Sequence, residues 1–301
     1  MDDTTIADLS DAEVITDPEK VRTVSIGQEF DRDFSGPTSI RNSIMLKKML
    51  QLFSVGGKLF PTMLPRTDSV RAAAQDALWS KLNLRAKDIQ SGASELEPIA
   101  TWVRGAGSVD EIGPLVQQYV GRLFVENFTS TNESWEAACT ILEASNTSNL
   151  AKLLWLQVSG KLEDAKALLS SMMNGDLAAV NGIGVAMHHI VDGLNKMRQL
   201  SADPATRAQL STEDVVDQCL FAPTSVMRLA NADGELAGCP FKKGKLFILS
   251  LGSASLGKAN RDLVFLSQSW SRCPAEKWVP ALLEGVWTRV LTDAYSAQVQ
   301  S

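Results

Sequence analysis

The stretch that most constrains the fold is Asp176–Leu200, DLAAVNGIGVAMHHIVDGLNKMRQL. Its first half is apolar on most faces, the pattern of a helix buried inside a core. A chain built round such a helix needs further amphipathic helices to cover it, so a mostly α architecture is expected. Gly182 and Gly184 each cost about 1 kcal/mol of helix propensity relative to alanine. Glycines placed there answer to close packing or to the approach of a ligand. The best strand candidate lies in GKLFILSLG, where a β-rich LFIL run stands between Gly244 and Gly252. The fold class expected is therefore mostly α with a small β component.

Helical patterns account for most of the remainder. Residues 41–60 (RNSIMLKKMLQLFSVGGKLF) read as an apolar helix ended by Gly56-Gly57, and residues 68–83 as an alanine-rich helix with Asp68 as N-cap. Gly105–Gly107 marks a break. Amphipathic segments follow over 109–127 and 131–145, the second opening on the cap-like TNES, and one or two helices are expected over 149–173. DPATRAQLSTEDVVDQCLFAP reads as helical and acid-capped, and PAEKWVPALLEGVWTRVL as a closing helix. Residues 1–40 form an acidic, polar segment before the turn-forming FSGPTS, which leaves 41–301 as a single mainly helical domain.

Composition excludes several functions. A net charge of −6 with no basic run of five argues against nucleic-acid binding. The acidic N-terminus is the reverse of a signal peptide, and runs such as LAKLLWLQV fall short of a membrane span, so a cytoplasmic protein without a transmembrane segment is expected. Cys139, Cys219, Cys239 and Cys273 show neither CxxC nor zinc-finger spacing and read as reduced thiols. Side chains of adjacent helical residues diverge by about 100°, so His188 and His189 do not converge on one metal and read as packed or surface residues. The Gly-rich pieces match no phosphate-binding loop, and no nucleophile elbow is present. Trp270, Trp278 and Trp287 read as core.

Beyond residue 176 a co-linear series of short motifs appears. Asp203-Pro204-Ala205-Thr206-Arg207-Ala208-Gln209-Leu210 is followed by Pro223, then Arg228-Leu229-Ala230-Asn231-Ala232-Asp233-Gly234-Glu235-Leu236, Gly238, Lys243-Gly244, Ala259-Asn260-Arg261-Asp262 and Cys273-Pro274-Ala275. In this order, over about 176–291, the chain resembles the haem-proximal half of a shortened, divergent cytochrome P450. The resemblance implies haem b as cofactor, Cys273 as its thiolate and metal ligand, and Arg228 at a propionate. The chemistry of Cys273 agrees independently. A thiolate at a helix N-terminus is stabilised by free N–H groups and the macrodipole, Pro274 suits a first helical turn, and Arg272 adds positive charge.

Departures from the family's pattern refine the expectation. The ExxR pair is replaced by Asp217-Gln218-Cys219-Leu220, and the ligand loop, Phe265-Leu-Ser-Gln-Ser-Trp-Ser-Arg-Cys273, has no glycine. The distal helix lacks the acid–threonine pair that delivers protons to dioxygen and holds Asn181 instead. In this it looks like the hydroperoxide-metabolising branches, such as allene oxide synthases and the haem-thiolate domains of fungal linoleate diol synthases. The implied activity is rearrangement or cleavage of a lipid hydroperoxide, or peroxide-dependent oxidation of an apolar substrate. Asn181 would then be the catalytic amide that orients the peroxide. The substrate would be an apolar or fatty-acid-derived molecule, and no redox partner would be required. The alternative is a non-catalytic scaffold that has lost haem and binds a lipid or protein partner. The competing reading of Asn181 is that it merely caps or kinks its helix.

Overall fold

The computed structural model describes residues 11–299 apart from 35, 37–38, 91–93, 147–154 and 157. Its helices are α1 (Pro18–Ile26), α2 (Ile40–Leu52), α3 (Ser69–Gln90), α4 (Glu97–Val103), α5 (Ile112–Gly121), α6 (Asn132–Asn146), α7 (Lys161–Met172), α8 (Leu177–Ala202), α9 (Pro204–Gln209), α10 (Thr212–Cys219), α11 (Leu251–Ala254), α12 (Arg261–Phe265) and α13 (Trp278–Val299). The strands are β1 (Glu13–Ile15), β2 (Phe30–Asp31), β3 (Ser54–Val55), β4 (Lys58–Leu59), β5 (Val226–Ala230), β6 (Gly234–Leu236), β7 (Cys239–Phe241) and β8 (Leu246–Leu249).

Around α8 the helices α4, α5, α10 and α13 close a large apolar core. Asp176 caps α8 by accepting from the N–H groups of Ala178 and Ala179. By length and composition α8 is a candidate membrane span among the described residues, yet it is the helix the others pack on. Within it a single π-helical turn, Gly182–Ala186, follows Asn181. Its two glycines answer to packing. A Cβ on Gly182 would lie 3.2 Å from the Phe124 ring, and one on Gly184 would lie 3.0 Å from Leu169.

The strands gather on the other side. β8, the expected strand, pairs parallel with β1 and antiparallel with β5, and β5 pairs antiparallel with β2, giving the order β1-β8-β5-β2. The acidic N-terminal segment thus supplies β1, α1 and β2 to the sheet unit. Phe30, Phe241 and Phe247 meet over the sheet with centroids 5.2–5.4 Å apart. Each buried phenylalanine is worth about 1.5–3 kcal/mol.

Several boundaries differ from expectation. The helix expected over 41–60 ends at Leu52, and Gly56-Gly57, both at positive φ, form the tight turn of the β3–β4 hairpin. The residue-203 to 223 segment splits into α9 and α10. Asp68 does cap α3, accepting from Val70 and Arg71 N–H. Part of the 149–173 expectation lies outside the described residues, and α7 covers its end.

Candidate functional site

The loop from Phe265 to Cys273 is held from three sides. Its own ends are joined by the Cys273 N–H, which donates to the Phe265 carbonyl at 2.7 Å. From α1, the Ser25 carbonyl accepts from the Ser269 hydroxyl at 2.7 Å. Helix α3 presents Arg71, Gln75 and Trp79, spaced by four and so on one face. The Gln75 amide donates to the Arg272 carbonyl at 3.0 Å, and the Arg272 guanidinium lies 4.2 Å from the Trp79 ring centre. Arg272 therefore turns to the surface of α3.

At the middle of the loop Trp270 is half-buried and ringed by guanidiniums. Arg71 lies 4.3 Å, Arg228 5.0 Å, Arg32 5.8 Å and Arg66 6.0 Å from its ring centre. Arg228 projects from β5, fully buried; it donates to the Met227 carbonyl at 2.9 Å and to the Ser271 hydroxyl. The Nε atoms of Arg228 and Arg71 are buried without a hydrogen-bond partner. Burial and mutual repulsion disfavour the charged forms. Burial first, then Arg71, pulls the Arg228 guanidinium down to about 9. Burial pulls Arg71 down to about 10 and Arg32 well below its usual value, where Arg228 and Arg71 add repulsion.

Asp31 and Asp68 are the carboxylates that favour the charged forms. Among the described residues the four guanidiniums outnumber these two carboxylates, and the buried Nε–H groups of Arg228 and Arg71 go unanswered. Such a cluster calls for a buried anion.

The structure brings Arg228 and the Cys273 loop together through Ser271. Cys273 itself does not start a helix. It precedes a turn over 274–277, and α13 begins at Trp278. The first i→i+4 bond of that helix runs from Val279 N to the Ala275 carbonyl. Its N–H end is thus displaced along the chain from the sulfur. Burial pushes the Cys273 thiol up, and the Ala275 N–H, which favours the thiolate, offsets this only in part. Asn181 is half-buried and makes no side-chain capping bond. The cap reading for Asn181 is therefore not what the structure shows, although a π-turn does follow it.

Sequence reasoning missed Arg32, Arg66 and Arg71, which lie in a half of the chain without a recognisable motif, and it assigned Trp270 to the core. Trp278 and Trp287 are core, 3% and 0% exposed. Of the two histidines, His188 is packed against Trp135 at 5.3 Å.

No protein-family model matches the sequence, and no curated protein matches it. Solved structures do. CYP164A2 of Mycobacterium smegmatis with econazole bound is 14% identical with a TM-score of 0.64, over 94% of this chain and 84% of that one. A six-coordinate cytochrome P450 from Thermus thermophilus is 15% identical with a TM-score of 0.61, over 95% and 89%. The fold is that of the cytochromes P450. A further P450, P450EX alpha (CYP152N1) with myristic acid, is 15% identical with a TM-score of 0.61, over 91% and 79%.

A P450 fold implies a haem, and the residues here fit its polar end. Two carboxylates set among Arg228, Arg71, Arg66 and Arg32 would answer both the orphaned Nε atoms and the excess charge. The Cys273 thiol in the same loop would be the soft donor if a haem iron were held there.

Proposed function

We propose that the chain is a haem-thiolate enzyme that rearranges or cleaves a lipid hydroperoxide, or uses a peroxide to oxidise an apolar substrate. The observation that carries this reading is the buried guanidinium cluster, short of an anion, in contact with the loop that ends in Cys273. Arg228 and Arg71 would hold the propionates of haem b, and Cys273 would bind the iron. When bound, the haem supplies homolytic cleavage of an O–O bond.

The chain's own residues do the rest. Burial pushes the half-buried Cys273 thiol up, and the Ala275 N–H favours its thiolate form. Asn181 offers an amide that donates to one peroxide oxygen and accepts from a hydroperoxide proton. The apolar run around Asn181 suits a fatty-acid-derived substrate, and the P450EX alpha structure with myristic acid supports that class. With no acid–threonine pair in AAVNGIGVAMHHI, proton delivery to dioxygen has no carrier there. An oxidant that already contains the O–O bond removes that need, and with it the need for a redox partner.

The test is anaerobic incubation of the purified holoprotein with a fatty-acid hydroperoxide and no reductant. Consumption is expected, and Asn181→Leu lowers it about tenfold or more, the scale of a lost positioning contact. Turnover that appears only with dioxygen and an added reductase contradicts the reading. One observation favours a second reading: Trp270 gives the four guanidiniums an internal partner in the absence of haem. The chain would then be a non-catalytic scaffold for a lipid or protein partner, and no hydroperoxide would be consumed under either condition.

A further inference from the structure

Gln117 and Gln118 stand side by side on α5, and only Gln117 is wholly buried. Gly113 and Gly121 lie one turn before and one turn after it, on the same face. A Cβ on either would come within 2.1 Å of a ring, Trp135 for the first and Phe128 for the second. The segment from Phe128 to Trp135 therefore presses directly on this face and brings Ser130 and Ser134 to the Gln117 amide. Its Oε1 accepts from the Ser130 hydroxyl at 2.5 Å and from the Ser134 hydroxyl at 2.7 Å. Its Nε2 donates to the Ser134 carbonyl at 2.9 Å and to the Ile183 carbonyl at 3.4 Å. Both carbonyls can only accept, so the amide has one orientation, and its two donors and two acceptor positions are all used.

Ile183 lies inside the π-turn of α8, where the Met187 N–H reaches back five residues to the Gly182 carbonyl. Such a turn holds one residue more than an α-turn, and two α-turns take about seven residues. Residues eight apart across it therefore share a face. Burial follows that register: Ala179 and Val180 are buried as Met187 and His188 are, while Asn181 is half-buried as His189 is. An unbroken α-helix would instead set Asn181 in line with the buried His188.

We propose that Gln117 is a positioning residue for Asn181. Its amide takes hold of the π-turn at the Ile183 carbonyl and so keeps Asn181 on the accessible face of α8, in line with His189. The meaning of this for peroxide chemistry rests on the role proposed above for Asn181. The register of α8 does not, and it can be read in the full chain whether or not haem is present.

The test is residue-resolved hydrogen exchange in the full-length protein. Gln117→Met keeps the length of the side chain and removes both donors. It is expected to lower protection of the Met187 amide, the donor of the π-turn bond, about tenfold through local opening, with the Leu194 amide further along α8 unchanged. Gln117→Glu leaves at most one donor for two carbonyls and should lower protection by a smaller factor. Ser130→Ala removes a bond from the acceptor side of the same amide, where Ser134 remains, and should leave Met187 as it is in the unaltered chain. In the holoprotein, Asn181→Leu should cost no further hydroperoxide consumption once Gln117→Met is present, because the two side chains act as one unit; an undiminished Asn181→Leu effect there contradicts the proposal. Absence of consumption in every variant and in the unaltered chain would defeat the proposed activity, and the exchange data would still decide the role of Gln117. Unchanged protection at Met187 in Gln117→Met, or in Gln117→Glu should the first variant not fold, would overturn it. So would equal losses at Met187 and Leu194, or a loss in Ser130→Ala as large as in Gln117→Met, either of which marks a general loosening.

Discussion

Arg228 is wholly enclosed, yet its Nε has no partner and Arg71 stands on the same tryptophan ring. Such a residue works against the stability of the haem-free chain, since desolvation and like-charge repulsion oppose its charged form. Arg228→Met keeps the length of the side chain and removes the charge. In haem-free protein this variant should raise stability to urea by about 1–2 kcal/mol, read as a higher unfolding midpoint at unchanged slope. The same variant should weaken haem retention. A lower midpoint would show that the charge is satisfied internally.

Sequence order singled out Arg228 and Cys273, because both sit in short motifs whose spacing along the chain is informative. The other guanidiniums were not legible in this way. Arg32, Arg66 and Arg71 reach Trp270 only after β2 has paired with β5 and α3 has packed along the loop. Nothing in their local sequence distinguishes an arginine beside a buried ring from one on a surface. Trp270 was misread for the same reason: apolar composition signals burial, not what the ring is buried against.

Helix α8 was legible as an element, while its Asp176 cap, its π-turn and its contacts were not. One of those contacts is unusually close. A Cβ on Gly193 would lie 2.3 Å from the Cys219 carbonyl oxygen at the end of α10. Since that neighbour is backbone, α10 must move to admit even a methyl group. Gly193→Ala should therefore cost about 1–3 kcal/mol, measurable by urea unfolding, whereas a neutral result would show that α10 is free to shift.

The same helix carries both histidines. His189 is pushed down to about 4 by burial and then by His188, and burial pushes His188 down as well. Because the folded values lie below the unfolded value of about 6.5, the folded chain binds fewer protons than the unfolded one. The stability these residues contribute is complete above about pH 6.5 and is lost as pH falls toward about 4. Unfolding midpoints measured from pH 7.5 to 4.5 should fall less steeply for His188→Phe combined with His189→Gln than for the unaltered chain. Parallel curves would contradict this.

At the scale of the whole molecule the helical core around α8 and the small sheet are joined by the loop from Phe265 to Cys273. α1 from the sheet side and α3 from the helical side both take hold of it. The mostly helical class and the β8 strand were readable from periodicity, as was the co-linear motif series. The β3–β4 hairpin and the split of the 203–223 segment were not, because a two-glycine turn after a helix reads equally as a stop signal. The displaced start of α13 was also hidden, since Cys-Pro-Ala carries the residue types of a helix entry whether the helix begins at once or one turn later.

The central claim is that the guanidinium cluster and Cys273 form a haem-thiolate site on this P450 fold. The most direct test is the absorption spectrum of protein purified from haem-supplemented cells, then reduced under carbon monoxide. A coloured protein is expected, with a Soret band that moves to the red-shifted position, still in the blue, that a thiolate ligand imposes on ferrous haem with carbon monoxide, and with Cys273→Ala abolishing that band. A colourless protein that also fails to take up added haemin would contradict it.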